Sequence, residues 1–338
     1  MRYVRLGTTG LQVSALALGC YAFGDPARGR ERWTLPEERA RDIIRSALDA
    51  GVTFFDTANA YSDGDSERVL GRAVRDLAVR DEIVLATKVW APVRPGPNGR
   101  GLSRTAILTE IDASLRRLGT DHVDLYQVHR FDPDTPLEET MEALHDVVRT
   151  GKVRYLGASS MAAWQFATAQ HVAQRHGWTR FSSMQNQYNL LHREEEREML
   201  PLCRDQGVGV LPWSPLARGL LARPAPPAPA EQAQGAGARE AGSTTGRDTA
   251  DPYVSSLYGD AEPAILDRVG EIAQARGVSR AQVALAWLAA RPGVTAPIIG
   301  ASSPTHLTEA VAALDLALTP AEEERLEEPY RPRTVRDG

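Results

Sequence analysis

The chain has 338 residues, 42% of them hydrophobic and 25% charged, a composition that can bury a large core and argues against a disordered polymer. Its net charge of -5, with Lys and Arg scattered along the chain, excludes the basic strip that phosphate backbones require, so no nucleic-acid partner is expected. Cys20 and Cys203 stand too far apart for a disulfide framework or a zinc motif, and neither a signal-type apolar start nor a run of about 18 apolar residues occurs, so a reducing cytoplasmic setting without a membrane is the expectation.

Strand-like and helix-like segments alternate along the chain. Met1 to Thr9 reads as a short hairpin that would plug the bottom of a barrel. Apolar runs then follow at Val13–Leu18, Val52–Asp56, Ile83–Lys88, Val123–His129, Val153–Ala158, Phe181–Gln187, Val208–Trp213 and Ala296–Gly300. Their hydrophobicity is continuous, as in parallel strands buried on both faces. Between them, Ala40, Ile43, Ile44, Ala47 and Leu48 share one helical face, as do Ile107, Ile111, Leu115 and Leu118. Capping boxes are predicted at Thr34–Glu37, Thr135–Glu138, Ser279–Gln282 and Thr319–Glu322, and helix ends at Gly51, Gly119, Gly151 and Gly177. Eight βα pairs predict a single-domain α/β chain, a (β/α)8 TIM barrel spanning 1–338. The rival, an open doubly wound sheet, calls for G-x-G-x-x-G in its first βα turn, and none is there. Ala222 to Pro252, rich in Pro, Ala and Gly, is expected to be an exposed loop after the seventh strand, either a lid or an insertion without a role.

Three of these runs end in titratable residues. Asp56, Lys88 and His129 close the second, third and fourth barrel strands, and Tyr61 follows five residues after Asp56. Active sites of such barrels lie at the C-terminal ends of the strands. A free tyrosine titrates near 10. An adjacent Lys88 is expected to lower that value, with Asp56 keeping the ammonium charged. The set suits carbonyl reduction: Tyr61 gives the proton, and His129 and Lys88 stabilise charge on oxygen. No side chain donates hydride, so a cofactor must.

At these residues the chain resembles the aldo-keto reductase superfamily. Phe55-Asp56-Thr57-Ala58-Asn59-Ala60-Tyr61, Gly64, Ser66-Glu67 and Leu70-Gly71 are similar to the family's first signature; Ala86-Thr87-Lys88 and Gln127-Val128-His129 are similar to its lysine and histidine segments. His129-Arg130-Phe131-Asp132 and Gly157-Ala158-Ser159-Ser160-Met161 resemble a bacterial branch near aryl-alcohol dehydrogenases. The resemblance implies an NADPH-dependent oxidoreductase, with NADH as the alternative, acting on a small-molecule carbonyl. It implies that Asp56, Tyr61, Lys88 and His129 are catalytic and that Ser159, Ser160 and Gln185 hold the carboxamide. Trp213 would lie against the nicotinamide, and Ser214, Leu216 and Arg218 around the pyrophosphate. Gly19, Cys20 and Tyr21 would sit beside the ribose, and Gly300, Ser302, His306 and Glu309 at the adenosine end. Ser302 stands where relatives often carry Arg or Lys, and Arg247 could close onto that end. Phe23, Trp33, Trp90, Arg130 and Phe131, with Tyr21, are candidates for the substrate pocket, aromatic for an aryl carbonyl, while Arg130 and Arg28 suit a phosphate or carboxylate. Two further readings stand beside the reductase: a redox-sensing regulatory subunit of the potassium-channel β type, which the intact His129 disfavours, and a metal-dependent hydrolase, for which the seven histidines lack ligand spacing. Assembly state and natural substrate are not legible.

Overall fold

The computed structural model describes residues 1–27, 33–224, 253–258 and 263–333. Arg28 and Arg247, and all but residues 222–224 of the Ala222–Pro252 stretch, lie outside the described residues. Two short antiparallel strands, β1 (Tyr3–Arg5) and β2 (Gln12–Ser14), open the chain. Eight parallel strands follow: β3 (Ala17–Gly19), β4 (Phe54–Asp56), β5 (Val84–Val89), β6 (Val123–Val128), β7 (Val153–Ser159), β8 (Phe181–Gln185), β9 (Gly209–Val210) and β10 (Ile298–Ile299). Their order in space, β10-β3-β4-β5-β6-β7-β8-β9, follows the chain around a cylinder. The Ile298 N–H donates to Pro212 O and the Thr295 N–H to Val210 O, both at 2.8 Å, and these bonds with the Trp213–Ile298 bridge shut the barrel. The fold is a (β/α)8 barrel.

Around it stand α1 (Glu37–Asp49), α2 (Asp65–Leu77), α3 (Arg104–Leu118), α4 (Leu137–Arg149), α5 (Ala163–His176), α6 (Met199–Asp205), α7 (Tyr253–Tyr258), α8 (Pro263–Arg276), α9 (Arg280–Ala289), α10 (Pro304–Ala313) and α11 (Pro320–Glu327). The apolar faces of α1 and α3 point at the sheet, with Ala40, Ile43, Ile44 and Ala47 buried on one and Ile107, Ile111, Leu115 and Leu118 on the other. Because side chains alternate across a strand, the sheet feeds two cores. One lies between strands and helices. The other fills the barrel's lower interior with Ala17, Phe54, Val84, Ala86, Leu125, Leu211, Ala296 and Ile298.

Leu6 and Val13 complete this inner core and are fully buried. They come from the hairpin, so the hairpin does plug the barrel, but its boundary differs from the expected one. Val13 belongs to β2, and the first barrel strand begins at Ala17. Ser14 causes the break. Its hydroxyl donates to Leu16 O (2.7 Å) and accepts from the Thr53 and Phe54 amides, which turns the chain from hairpin to barrel. Burying each of the two plug side chains is worth about 1.5–3 kcal/mol.

Two of the four expected capping boxes form, at Ser279 on α9 and Thr319 on α11. At α1 and α4 the N-caps are Pro36 and Pro136, without side-chain caps. Thr135 gives its hydroxyl to Asp132 instead, at 2.7 Å. Gly119 and Gly177 end α3 and α5 in the left-handed conformation, with φ 67° and 68°. No helix among the described residues is long and apolar enough to cross a membrane.

Candidate active site

The polar tier begins two residues above the apolar one. Phe54 is followed on the same face by Asp56, Ala86 by Lys88 and Leu125 by Gln127, and Gln185 joins them at the end of β8, two residues beyond the polar Ser183. Asp56, Lys88, Gln127 and Gln185 are all buried. The Lys88 ammonium donates to Asp56 Oδ2 at 2.5 Å, to Thr57 O at 2.8 Å and to the Tyr61 hydroxyl at 3.2 Å. Those contacts use its three protons. Asp56 Oδ1 accepts from Gln127 Nε2 and Gln185 Nε2, each at 2.9 Å, and Gln185 also donates to Gln127 Oε1 at 3.2 Å. Gly157 on the neighbouring strand makes room: a Cβ there would stand 2.9 Å from Gln127 Cγ and 2.5 Å from Ser183 Oγ.

The loop after β4 carries Tyr61 to this ammonium. Thr57 and Ser66 pair through their hydroxyls at 2.8 Å, and Ser66 donates to Cys20 O at 2.7 Å. The buried Glu67 accepts from Thr87 Oγ1 (2.6 Å) and Arg117 Nε (2.5 Å), tying α2 to β5 and α3. Beyond Tyr61 the backbone turns through left-handed Ser62 and Asp63, φ 49° and 54°. Among the described residues, every non-glycine with positive φ (these two, Trp90, Ser160, Ser214, Ala217 and Arg218) lies in a segment that follows the C-terminal end of a barrel strand. Such conformations cost of order 1–3 kcal/mol each, so strain is concentrated at the end where the polar tier opens.

Protonation differs from the expectation in one respect. Burial pushes the Tyr61 phenol above its ordinary range, and the pull of Lys88 does not reverse this. Burial is the largest influence and outweighs the ammonium, and the Asp56 carboxylate adds to it by opposing a phenolate. Tyr61 is therefore a neutral O–H donor at neutral pH. Burial pulls Lys88 down, but the charge of Asp56 and the Tyr61 oxygen carry it above its ordinary range, so it stays charged. His129, one residue past β6, is anchored by its N–H to Val89 O at 2.9 Å. Burial, with the charges of Lys88 and Arg130 adding, holds its imidazole well below its ordinary range and so neutral. Its ring stands 5.7 Å from that of Tyr61, and its Nδ1 is buried without a partner among the described residues.

The other predicted residues divide. Trp213 fixes its indole by donating to Ser160 Oγ at 3.0 Å, and Ser160 bonds Ser159 at 3.2 Å. Gln185 is committed to Asp56, so its amide is turned into the barrel. The Cys20 thiol is fully buried in the outer core, which leaves only backbone at that position for a ligand. Phe23 is fully buried there too; it packs the fold and does not line the mouth. Tyr21 contacts Trp33 and Tyr61 edge-on, with centroids at 5.2 and 4.8 Å. Trp90 and Leu216 pack partly buried against the outer core. Phe131 meets Trp164, a 65% exposed ring. Ser214 O accepts from Asn189, and Arg218 lies in the left-handed turn beyond it. At the far end, beyond the exposed Gly300, Ser303 caps α10, Ser302 Oγ pairs with His306 Nδ1 at 3.1 Å, and Glu309 accepts from Ser279 Oγ at 3.4 Å. Arg39, which the sequence did not single out, reaches Ser302 O from α1 at 3.2 Å.

A closed parallel barrel whose strand ends unite a charged lysine, a carboxylate, a phenol and a neutral imidazole carries its polar groups where enzymes of this barrel class have their active sites. Residues 15–331 match the Aldo/keto reductase family, and the chain belongs to it. It is 43% identical to versiconal hemiacetal acetate reductase of Aspergillus parasiticus, over all of this chain and 99% of that protein. It is 44% identical to an aldo-keto reductase of Alternaria alternata (97% and 91% covered) and 42% identical to a putative aryl-alcohol dehydrogenase of Schizosaccharomyces pombe (98% and 96%). The chain is an NAD(P)H-dependent oxidoreductase that acts on carbonyls.

Beneath Trp213 lies a titratable group that the sequence did not flag. Asn186 O accepts the Trp213 amide at 2.7 Å, and Asn186 Nδ2 donates to Glu195 at 2.8 Å. Burial pushes Glu195 up to about 7, against that hydrogen bond and with the charge of Glu194 adding. The folded form thus holds this proton more tightly than the unfolded chain. As pH rises from 4.5 through about 7 the unfolded form ionises first, and stability falls. Glu195→Gln is expected to raise the melting temperature at pH 8 by a few degrees and to leave that at pH 4.5 nearly unchanged. Equal shifts at both pH values in thermal melts would reject this.

Proposed function

We propose that the chain reduces an aldehyde or ketone to its alcohol with NADPH, and that Tyr61 is the proton donor. The observation that carries this reading is the 3.2 Å contact between the Tyr61 hydroxyl and an ammonium that Asp56 fixes at 2.5 Å. The cofactor, when bound, supplies the hydride. The protein's part is to handle charge on oxygen. Tyr61 passes its proton to the carbonyl oxygen, and the phenolate left behind is stabilised by Lys88. A neutral His129 can donate a hydrogen bond to the same oxygen without adding a second cation. Gln127 and Gln185 hold the Asp56 carboxylate still, so the ammonium keeps one orientation. Run backwards, the set oxidises an alcohol.

Several features fit a dinucleotide. The pinned indole of Trp213 offers a flat face for the nicotinamide. Ser159 and Ser160 lie beside it for the carboxamide. The left-handed turn of Ser214, Ala217 and Arg218, next to Leu216, suits the diphosphate, and the backbone of Gly19 and Cys20 with Tyr21 suits the ribose. Gly300, Ser302, His306 and Glu309 would border the adenosine. Ser302 carries no charge, but Arg39 brings a guanidinium to it, and that cation has no carboxylate partner among the described residues. Arg39→Ala is therefore expected to weaken NADPH binding about tenfold more than NADH binding, read from quenching of tryptophan fluorescence. Equal losses for both would return the 2′-phosphate to another residue. The test of the whole reading is steady-state reduction of 4-nitrobenzaldehyde with NADPH and with NADH. Cofactor binding without turnover across a panel of carbonyls would sink it.

A further inference from the structure

Arg130 is a cation without a counter-ion. It follows His129 at the mouth and is half-buried, yet it makes no hydrogen bond or ion pair with any described residue. Three arginines between β5 and β6 do find acids: Arg94 has Glu110, Arg104 has Asp146 and Arg117 has Glu67. The carboxylate nearest in sequence to Arg130 is already spent. Asp132 is buried and accepts from the Leu102 amide (2.7 Å), the Thr135 hydroxyl (2.7 Å) and the Asp134 amide (3.1 Å). Withdrawing a charge partly from water without pairing it is costly, and a fold tolerates that where a ligand completes the pair.

Its place in the fold puts it beside the polar tier. β6 ends at Val128, His129 follows with its ring 5.7 Å from that of Tyr61, and Arg130 is the next residue, close enough for its charge to act on the His129 ring. Burial holds its guanidinium below its ordinary range, which a bound anion would offset. Aromatic rings occupy the same strand-end segments of the barrel. Phe131 and Trp164 meet at 6.2 Å, Trp164 being 65% exposed, and the Tyr21, Trp33 and Tyr61 rings form a second group. A largely exposed indole at a mouth is unused apolar surface.

We propose that the chain's substrates are aryl aldehydes or ketones carrying a carboxylate, that Arg130 pairs with this carboxylate, and that Phe131 and Trp164 pack against the aryl ring. This rests on the reading of the chain as a carbonyl reductase. A guanidinium matches a carboxylate with two parallel N–H donors, which lysine cannot reproduce. Two tasks are then divided: Tyr61 and His129 take the carbonyl oxygen, and Arg130 takes the opposite, acidic end.

The experiment compares 4-carboxybenzaldehyde with benzaldehyde in the full chain, in Arg130→Met and in Arg130→Lys, each checked for an unchanged melting temperature. Wild type is expected to favour the acid in kcat/KM. Arg130→Met is expected to cut the acid-to-neutral ratio by about 10–100-fold through KM, and Arg130→Lys to restore it only in part. Binding of 4-(hydroxymethyl)benzoate and benzyl alcohol, followed by calorimetry with and without NADP⁺, should show the same discrimination. A wild type that reduces benzaldehyde but gains nothing from the carboxylate, in rate or binding, overturns the proposal. So does an Arg130→Met variant that loses NADPH affinity and keeps the acid-to-neutral ratio, since the guanidinium would then serve the cofactor. Failure to reduce either aldehyde counts against the reductase reading, and the calorimetry then still decides whether Arg130 binds the acid.

Discussion

Tyr61→Phe is expected to lose about 10²–10⁴-fold in the rate of carbonyl reduction, the range typical of removing a general acid. Binding of NADPH should persist, because the phenol oxygen is tied to Lys88 and no residue near the adenosine end depends on it. Lys88 keeps Asp56 and Thr57 O as partners in the variant, so the site stays assembled. Single-turnover kinetics with NADPH and 4-nitrobenzaldehyde, beside a fluorescence titration of the cofactor, check both halves. Turnover at the parent's rate would remove Tyr61 from the chemistry and leave His129 as the donor to be tested.

Lys88→Met should cost more, since it strikes both stability and rate. The ammonium is fully buried and is the only cation touching Asp56 among the described residues. Without it the carboxylate keeps the Gln127 and Gln185 amides but has no counter-charge. Breaking a buried pair on one side costs about 3–5 kcal/mol, readable by urea unfolding. The double variant Asp56→Asn/Lys88→Met should recover part of that loss, because no ion is then stranded, and a double-mutant cycle measures the coupling. For the chemistry, the sign follows from the pKa directions. Burial raises the Tyr61 phenol and Lys88 lowers it, so removing Lys88 leaves burial unopposed and the phenol climbs further. Alcohol oxidation, which needs the phenolate, gains rate as pH rises, and this rising limb should then move to higher pH. A pH profile identical to the parent's would refute tuning by the ammonium.

The barrel was legible in the sequence because parallel strands covered on both faces read as unbroken apolar runs, and each run that ended in Asp56, Lys88 or near His129 marked a strand's C-terminal end. The wall of the barrel needed no more than that. Register was not legible, and register is what makes the site. Gln127 stood out only as part of the histidine segment and Gln185 only as a candidate for the carboxamide; the pairing of Lys88 with Gln127 and of Ser159 with Gln185 is what brings both donors onto Asp56. Arg39 and Ser302 lie far apart in the chain and meet because the barrel closes. Local motifs failed where a neighbour competed. Thr135-Pro136-Leu137-Glu138 and Thr319-Pro320-Ala321-Glu322 have the same pattern, yet only the second caps, since Asp132 takes the Thr135 hydroxyl. Phe23 shows the other limit: aromatic character near the first strand does not say which side of the wall a ring occupies. The expected fall in the Tyr61 pKa failed for a related reason, because the sequence showed the lysine but not how deeply the phenol is buried beside it.

Asp56 draws its partners from β5, β6 and β8, so a single carboxylate surveys half the circumference. During refolding, those donors can converge only after the intervening strands have docked in order. Recovery of activity should therefore lag behind recovery of helical signal and coincide with the last long-range strand pairings, which makes catalysis itself a clock for completion of the cylinder.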